Sequence, residues 1–500
     1  MSYLNHLEKE NSRTLTMNGA AAYNGTGDAC LDLFAVAGGM RYRKHADLVT
    51  LFDRAYIENP DLAMKLLFYI RDIRGGMGER RVFRALIRHT AFTWPESAKK
   101  NVGVIDEYGR WDDLLCLLGT PVQEEAVRVI RDQMEKDLEA VRKREEGETD
   151  APVSLLAKWL PSANTSSART RNQAKILMNA LGMDEKTYRK TLSNLRSRIA
   201  LTERYLSRKT PEKINYEAVP AGAMLKYRKA LQSGTDRERF AKYLGQAAGG
   251  KKKMHVDTLF PYEIMRPYFR GGYSRCGMLQ DKVLEALWKN QNPQIEGENA
   301  ICVVDTSGSM YWRHGEGLLP ALVSQSLGLY YAERCKGTFH DHLITFESQP
   351  HLIKVPQGTL RDKLTYVKSL PWGGSTNLEA VFTLLLDAAV KNNTPQEEMP
   401  SVIYIISDME FNCAMRRADK TIFENAEEMY REFGYQLPAI VFHNVNSWQM
   451  QVPVRKNTRG TALVSGAGTA AFREKYGKNT TPLDHMLTVL ERERYAQICA

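Results

Sequence analysis

The amino-acid sequence predicts a multidomain α plus α/β protein, in which an irregular α-solenoid precedes a doubly wound, Rossmann-like α/β domain. From about residue 30 to residue 290, apolar residues recur at helical spacing and the connections are short. After residue 299, apolar strands alternate with helical segments, as in a parallel sheet with helices on both faces. The strands are predicted at 300–304, 342–346, 402–406 and 438–442.

Four segments follow from these patterns. Residues 1–29 carry turn signals such as Asn18-Gly19 and are predicted to be irregular. Residues 30–290 form the helical-repeat module, residues 291–299 the linker, and residues 300–500 the α/β domain. Helices are predicted near 80–92, 96–107, 111–118, 121–143, 167–181, 184–206, 221–231, 235–247, 276–290, 318–334, 377–391 and 420–433.

The composition is that of a globular protein, with 43% hydrophobic and 26% charged residues. No apolar run reaches the ~18 residues that a membrane span needs, and the polar start does not resemble a secretory signal. The seven cysteines are scattered, as expected for reduced packing residues. The sequence therefore predicts a cytoplasmic protein.

The net charge of +10 is unevenly distributed along the chain. Residues 151–290 contain 27 Lys and Arg against 11 Asp and Glu, a balance of +16, whereas residues 301–500 have a balance of −1. A basic module joined to a nearly neutral one is the asymmetry expected when one part meets a polyanion. The alternative is a solvated basic face that has no partner.

Oxygen-bearing side chains follow the predicted strands of the α/β domain. Asp305, Ser307 and Ser309 come directly after the first strand, Thr376 lies in a later loop, and Asp408 follows the third strand. An all-oxygen set of two carboxylates and three hydroxyls suits a hard cation such as Mg²⁺ or another divalent cation. Spacing and order resemble the metal-ion-dependent adhesion site (MIDAS) of von Willebrand factor A (vWA) domains.

A basic helical module followed by a vWA-like domain resembles the Ro ribonucleoprotein family, whose helical part is the TROVE module. The helical half contains sequence blocks typical of Ro-like relatives. These blocks are Asn18-Gly19-Ala20, Leu31-Asp32-Leu33-Phe34, residues 71–80 (RDIRGGMGER), residues 109–115 (GRWDDLL), residues 156–162 (LAKWLPS) and residues 188–193 (YRKTLS). The pattern is nearest to a TROVE-related branch of that family.

The resemblance implies a ring of HEAT-like helices that the vWA domain closes. It also implies binding of small noncoding RNA to a basic face, and of misfolded RNA whose single-stranded end enters the ring. Two alternatives remain open: a protein-interaction scaffold whose metal receives a partner's carboxylate, and a metal-dependent nuclease. Since no general base lies near Ser307 or Ser309 in the sequence, we expect no catalytic residues and no enzymatic activity.

No RNA-contacting residue follows from a motif, so the RNA-binding residues are predicted from charge alone. One cluster is Arg71, Arg74, Arg80 and Arg81, where Asp72 and Glu79 could instead pair with the arginines and fix a turn.

A second basic cluster lies at a predicted helix start and contains Arg169, Arg171 and Lys175 among Ser, Thr and Asn. The alternative to phosphate binding is a Ser/Thr helix cap whose neighbouring basic side chains point to water. A third contains Lys251, Lys252 and Lys253, which follow a near-match to a phosphate loop. The hydroxyl that such a loop needs is missing, so we predict no nucleotide site there.

Overall fold

The computed structural model describes residues 7, 9–148, 151–269, 280–291, 299–312, 318–346, 348–370, 374, 376–413 and 420–500. Its first part is rich in helices and its second contains a six-stranded sheet. No helix among the described residues is long and apolar enough to cross a membrane.

Helices dominate the chain from residue 29 to residue 289. The α-helices there are α1 (Ala29–Val36), α2 (His45–Glu58), α3 (Pro60–Arg71), α4 (Arg80–Thr93), α5 (Pro95–Asn101), α6 (Ile105–Tyr108), α7 (Gln123–Glu145), α8 (Leu156–Trp159), α9 (Ala168–Leu181), α10 (Glu185–Arg198), α11 (Thr202–Ser207), α12 (Ala221–Ser233), α13 (Arg237–Ala248), α14 (Pro261–Met265) and α15 (Lys282–Lys289). Short 3₁₀ helices join several of them, among them Trp111–Leu117 and Arg266–Phe269.

Two short strands precede these helices. β1 (Arg13–Leu15) and β2 (Ala21–Tyr23) pair antiparallel as a hairpin. The sequence predicted an irregular segment here, because strands of three residues are too short to show an alternating pattern. The hairpin packs against the second part of the chain through backbone bridges from Gly19 to Asn412 and from Tyr23 to Val452.

The second part is built on strands and helices in alternation. Its elements are β3 (Ala300–Asp305), α16 (Pro320–Ala332), β4 (His342–Phe346), β5 (His351–Lys354), α17 (Leu360–Ser369), α18 (Leu378–Asn392), β6 (Val402–Ser407), α19 (Ile422–Glu432), β7 (Ala439–Asn444), β8 (Thr461–Ser465) and α20 (Pro482–Leu490). The sheet order is β5-β4-β3-β6-β7-β8, and β5 pairs antiparallel while the other pairs are parallel.

The four predicted strands are therefore present, in a mixed rather than a fully parallel sheet. The edge strands β5 and β8 and the helices α17 and α20 were not predicted. β5 has three exposed residues out of four, so its sequence lacks the apolar run that marks the buried strands. Of the predicted linker 291–299, residues 292–298 lie outside the described residues.

Helices of the first part of the chain contribute to the cover of both faces of the sheet. Ile301 and Val303 of β3 share one hydrophobic core with helices from α1 to α10. Cys302 and Val304 of the same strand point to the other core, which contains residues of α12 to α15. Because successive side chains of a strand point to opposite faces, the helical part must meet the sheet from both sides.

The last eight residues bind back to the helical part. Buried Asp72 accepts hydrogen bonds from the Arg494 guanidinium and, at 3.0 Å, from the Tyr495 hydroxyl. Asn101 donates to the Cys499 carbonyl at 2.6 Å, and the Ala500 N–H donates to Asp61 at 2.7 Å. The carboxyl-terminal segment thus fastens the second part of the chain to α3, α5 and the turns beside them.

Asp113 is a buried carboxylate near the Gly75 turn that pairs with two arginines of the helical part. It is fully buried and accepts from Arg71 Nε at 2.7 Å, from Arg84 Nε at 2.5 Å and from the Arg110 N–H at 2.9 Å. Arg71 is itself only 3% exposed, so its guanidinium depends on this carboxylate for its neutralising charge. A buried ion that loses its partner is strongly destabilising.

We expect Asp113→Ala to lower the free energy of unfolding by about 3–5 kcal/mol, because it leaves the Arg71 charge buried without a partner. Urea denaturation measures the change. Asp112→Ala is the matched control, since Asp112 and its partners Arg84 and Arg110 are all partly exposed. It should cost about 1 kcal/mol or less. An equal effect of both substitutions would contradict this assignment.

Candidate functional site

The candidate cation site lies at the carboxyl edge of the two central strands. β3 ends at Asp305 and β6 ends at Ser407, and the two strands are parallel neighbours with Val304 opposite Ile406. In parallel sheets the carboxyl ends of the strands form the usual ligand-binding edge. The local sequence thus places Asp305 and Asp408 on adjacent strands at one edge.

Hydrogen bonds join three of the predicted ligands, and a fourth, Asp408, lies beside them. Ser407 Oγ donates to Asp305 Oδ2 at 2.5 Å, and the Ser307 N–H donates to Asp305 Oδ1 at 2.9 Å. The Ser307 and Ser309 hydroxyls are 3.1 Å apart. Ser309 in turn lies close enough to Asp408 to lower the pKa of that carboxyl. Asp305, Ser307, Ser309 and Asp408 therefore form one connected group.

Thr376, the fifth predicted ligand, is buried and reaches this group through neighbours. Its carbonyl accepts from the Asn412 N–H at 3.0 Å. Its hydroxyl accepts from Asn18 Nδ2 at 3.3 Å, and the same nitrogen donates to the Glu410 carbonyl at 2.6 Å. Thr376 consequently lies beside the turn that follows β6. Its contact through Asn18 reaches Glu410, which is two residues beyond Asp408.

Both carboxylates of the site are buried, and neither faces a lysine or arginine in an ion pair among the described residues. Burial raises the pKa of Asp305 above its ordinary value. Burial and, next, the Asp305 charge raise the pKa of Asp408 to about 8. Two neighbouring carboxylates without a cation are held at an energetic cost, which a proton or a metal ion removes.

The turn after β6 carries two carboxylates with different partners: Asp408 belongs to the candidate cation site, and Glu410 contacts the amino-terminal hairpin. Met409 has a positive φ of 67°, a conformation that costs a residue with a side chain roughly 1–3 kcal/mol. On one side of it, Asp408 Oδ1 accepts from the Glu410 N–H at 3.2 Å. On the other, the buried Glu410 carboxylate accepts from the Met17 N–H at 2.9 Å and from Gln451 Nε2 at 2.8 Å.

The group fits a divalent cation by its donor set. Asp408 Oδ2 is buried and has no hydrogen-bond partner among the residues that the structure describes, so one carboxylate oxygen is free to bind an ion. No cluster of three His, Cys, Asp or Glu suited to a metal occurs within the described ranges. A cation here would therefore use hydroxyl and carboxylate oxygens together, which suits Mg²⁺.

Three residues of the site were not predicted: Asn18, Ser407 and Glu410. Ser407 is part of the serine-aspartate pair that ends β6, and its position at a strand end is a usable signal. Asn18 belongs to a block that resembles the Ro-like pattern, yet nothing in the sequence connects it to residues almost 400 positions away. That contact depends on tertiary structure.

The structure corrects the prediction for Arg71, which is buried against Asp113 and cannot meet a phosphate. The acids of this block pair with more distant arginines, Asp72 with Arg494 and Glu79 with Arg41.

The other three arginines of the block are exposed. Arg74 donates to the Glu107 carbonyl, and Arg81 donates to the carbonyls of Arg41 and Arg43. Arg80 has no hydrogen-bond partner among the described residues and remains available to an anion.

In the second basic cluster, the structure shows the helix cap that the sequence left as an alternative. Ser167 caps α9 by accepting from the Thr170 N–H at 3.3 Å, and Arg171 Nη1 donates to the Thr165 and Ser166 carbonyls. Arg169 and Lys175 are exposed. In the third cluster all three lysines are exposed, and Lys252 forms an ion pair with Glu217 at 2.6 Å.

A basic groove lies beside the second cluster, between α10, α11 and the loop at residues 162–164. Its volume is about 800 Å³. The residues that line it are Ser162, Ala163, Asn164, Glu185, Lys186, Tyr188, Arg189, Lys190, Leu192, Ser193, Arg196, Arg204 and Arg208. Six of them are basic and one, Glu185, is acidic. We call this cavity the α10–α11 groove.

Two arginines of the groove form hydrogen bonds that stabilise its wall, whereas other basic residues of the groove face solvent. Arg196 donates to the carbonyls of Ala157 and Leu160 and to Ser162 Oγ at 2.7 to 2.9 Å. Arg204 donates to the Arg196 carbonyl at 3.0 Å. By contrast, the exposed side chains of three residues have no hydrogen-bond or ion-pair partner among the described residues. These are Lys186, Lys190 and Arg208.

We expect Asp408→Asn to change how stability depends on pH in the presence of a chelator. A carboxyl whose pKa is raised contributes stability that is fully present below its ordinary value of about 4 and is lost as the pH rises through about 8. The thermal midpoint of the unchanged protein should therefore fall relative to that of the variant as the pH rises from about 4 to about 8, and the difference should stay constant above about pH 8. Asp387→Asn, at an exposed position of α18, is the control. Parallel pH profiles for all three proteins would contradict the coupling of the two carboxylates.

Comparison with known proteins gives two family matches. A family described as a domain of unknown function, DUF2828, matches residues 16–131 and 122–298, and a second, DUF7788, matches residues 299–477. The uncharacterized protein L728 of Acanthamoeba polyphaga mimivirus is 29% identical over 513 residues, which cover 96% of this chain and 87% of that protein.

Among solved structures, the Ro (RSR) protein of Deinococcus radiodurans aligns over 89% of this chain and 93% of its own. The sequence identity is 15% and the TM-score is 0.36, which is too low to establish a shared fold. The DUF2828 match, by contrast, extends over more than half of the 500 residues. The chain belongs to the DUF2828 family.

Proposed function

We propose that this protein binds RNA through the basic surface of its helical part, and that its sheet edge holds a divalent cation. The observation that carries the RNA proposal is the α10–α11 groove, where Lys186, Lys190 and Arg208 present charges that no described acid neutralises. Unpaired cations that line an open groove attract the phosphates of a polyanion.

The charge distribution supports the same location. The groove falls within residues 151–290, the segment with a balance of +16, and the sheet part is nearly neutral. Arg169 and Lys175 on α9 add exposed positive charge to the same segment of the chain. Binding by many phosphate contacts and few base contacts needs no sequence-reading motif. We infer a preference for RNA shape over RNA sequence.

The finer proposal is a Ro-like mode of binding to small noncoding or misfolded RNA. Its support is the position of the sheet between two helical cores, since a helical segment that meets both faces of one sheet forms a closed circuit with it. A closed circuit of HEAT-like helices would admit a single-stranded RNA end and reject a blunt duplex. We propose that the vWA-like sheet part closes this circuit.

Replacing Lys186, Lys190 and Arg208 together by Ala should weaken RNA binding and flatten its salt dependence. The slope of log K against log salt should decrease by roughly 2, since each phosphate of a single strand that a side chain neutralises contributes about 0.7 to that slope. Fluorescence anisotropy with a single strand, a duplex with a 3′ tail and a blunt duplex measures both effects. The tailed duplex should bind more tightly than the blunt one.

The matched control replaces three exposed basic residues elsewhere on the helical part by Ala: Lys44, Arg128 and Lys136. Net charge changes equally in the two triple variants. Equal decreases of affinity would show that the total charge, and not the groove, determines binding. Unchanged affinity in the groove variant would reject the placement.

The cation proposal rests on the Asp305 and Asp408 carboxylates and on the unpartnered Asp408 Oδ2. We propose Mg²⁺ as the ion, held by Asp305, Ser307, Ser309, Thr376 and Asp408. Mn²⁺ serves as the probe ion in place of Mg²⁺. Asp305→Ala should abolish Mn²⁺ binding measured by titration calorimetry, while the helical circular dichroism signal remains. Binding that survives this substitution would place the ion elsewhere.

A protein partner is the second candidate for the sheet edge. Trp312, three residues beyond Ser309, is 68% exposed and lies edge-on to Trp448 at 6.5 Å between ring centroids. A large exposed aromatic side chain close to a cation site favours a partner that brings a carboxylate and an apolar side chain. Cation-dependent protein capture with no RNA affinity would favour this scaffold function.

A further inference from the structure

We propose that Asn18 is a positioning residue of the cation site, and that a bound cation latches the amino-terminal hairpin, residues 13–23, onto the sheet. This inference rests on the cation site proposed above. It assigns a role to a turn that lies far from the ligands in sequence but within hydrogen-bond distance of one of them.

The first step is the position of the Asn18 amide. Its Nδ2 lies 3.3 Å from the Thr376 hydroxyl and 2.6 Å from the Glu410 carbonyl. An amide NH₂ has two hydrogens, so it can serve both acceptors. Asn18 therefore joins the loop that carries Thr376 to the turn that carries Asp408.

The second step concerns the Thr376 hydroxyl. A hydroxyl oxygen has two lone pairs. If one accepts from Asn18, the other remains for a cation, and the direction of the oxygen is fixed. An outer hydrogen-bond partner of this kind orients a ligand and commonly sets metal affinity.

The third step is the Glu410 carboxylate, which holds the hairpin from the other side. It is 2% exposed and accepts from the backbone N–H of Met17. Its burial without a cationic partner among the described residues is costly unless hydrogen bonds compensate. Met17 and Gln451 provide these bonds, so undocking of the hairpin would remove the Met17 hydrogen bond from this carboxylate.

Other bonds of the hairpin end on the same turn and its neighbours. Thr16 Oγ1 donates to the Phe411 carbonyl at 2.6 Å, and Gly19 bridges to Asn412. Asn412 in turn donates to the Thr376 carbonyl. The segment 409–412 therefore links the hairpin to the ligands Asp408 and Thr376, and any ordering of that segment by a cation also orders the hairpin's docking surface.

Linkage makes this coupling reciprocal: if the docked hairpin tightens cation binding, the cation stabilises the docked hairpin by the same factor. Two measurements on the full-length chain therefore test it. Asn18→Ala should weaken Mn²⁺ binding by roughly tenfold, the low end for removal of an outer ligand partner. Asn24→Ala, at an exposed asparagine just beyond the hairpin, should leave the Mn²⁺ affinity unchanged.

The second measurement is amide hydrogen exchange of residues 13–23 with and without Mn²⁺. Mn²⁺ should slow exchange in the unchanged protein and in Asn24→Ala, and should have no effect in Asp305→Ala. In Asn18→Ala the slowing should be smaller. Because Asn18 is exposed, its replacement should not prevent folding.

The outcomes separate the latch from the site. Normal Mn²⁺ affinity in Asn18→Ala, or hairpin exchange that Mn²⁺ does not alter, would overturn the latch and leave the cation site standing. Absence of Mn²⁺ binding in the unchanged protein would overturn both. Weaker binding in Asn18→Ala together with cation-dependent protection of the hairpin supports the latch.

Discussion

The central sheet is buried on both faces, and this burial determines how the rest of the chain is arranged. Each interior strand has apolar side chains pointing in both directions, so both sides need cover. Helices α16 to α19 supply part of that cover, and the helical part supplies the remainder from two directions. The helical part and the sheet part are therefore bound to each other through their cores, in addition to the polar contacts of the carboxyl-terminal segment around Asp72.

The same sheet explains why its carboxyl edge is chemically distinctive. Parallel strands bring Asp305 and Asp408 together at a place where burial disfavours two negative charges. The hydrogen bonds that Ser407 and Ser307 donate to Asp305, and the nearby Ser309 hydroxyl, reduce that cost without removing it. Such an arrangement favours a cation, and the hairpin contacts through Asn18 and Glu410 make the surrounding loops part of the same equilibrium.

The sequence predicted those features that depend on local patterns. Apolar runs located β3, β4, β6 and β7, because these strands are buried, whereas exposed β5 lacked the run. The motifs at the strand ends also identified Asp305 and Asp408, because each carboxylate lies at or directly after the end of a predicted strand.

What the sequence could not predict depends on contacts between distant residues. Charge counting alone could not tell buried Arg71 from exposed Lys190, since burial depends on whether an acid such as Asp113 lies nearby in space. For the same reason it missed Asn18, whose partners Thr376 and Glu410 are joined to it only by folding.

RNA binding by the helical part is the central claim, and photo-crosslinking tests it most directly. The purified full-length chain would be irradiated with RNA that contains 4-thiouridine, and the crosslinked peptides identified by mass spectrometry. The groove predicts crosslinks within residues 156–208, reduced by excess unlabelled RNA and by the substitution of Lys186, Lys190 and Arg208. Crosslinks confined to residues 299–500, or none above the level of a non-binding control protein, would contradict the account.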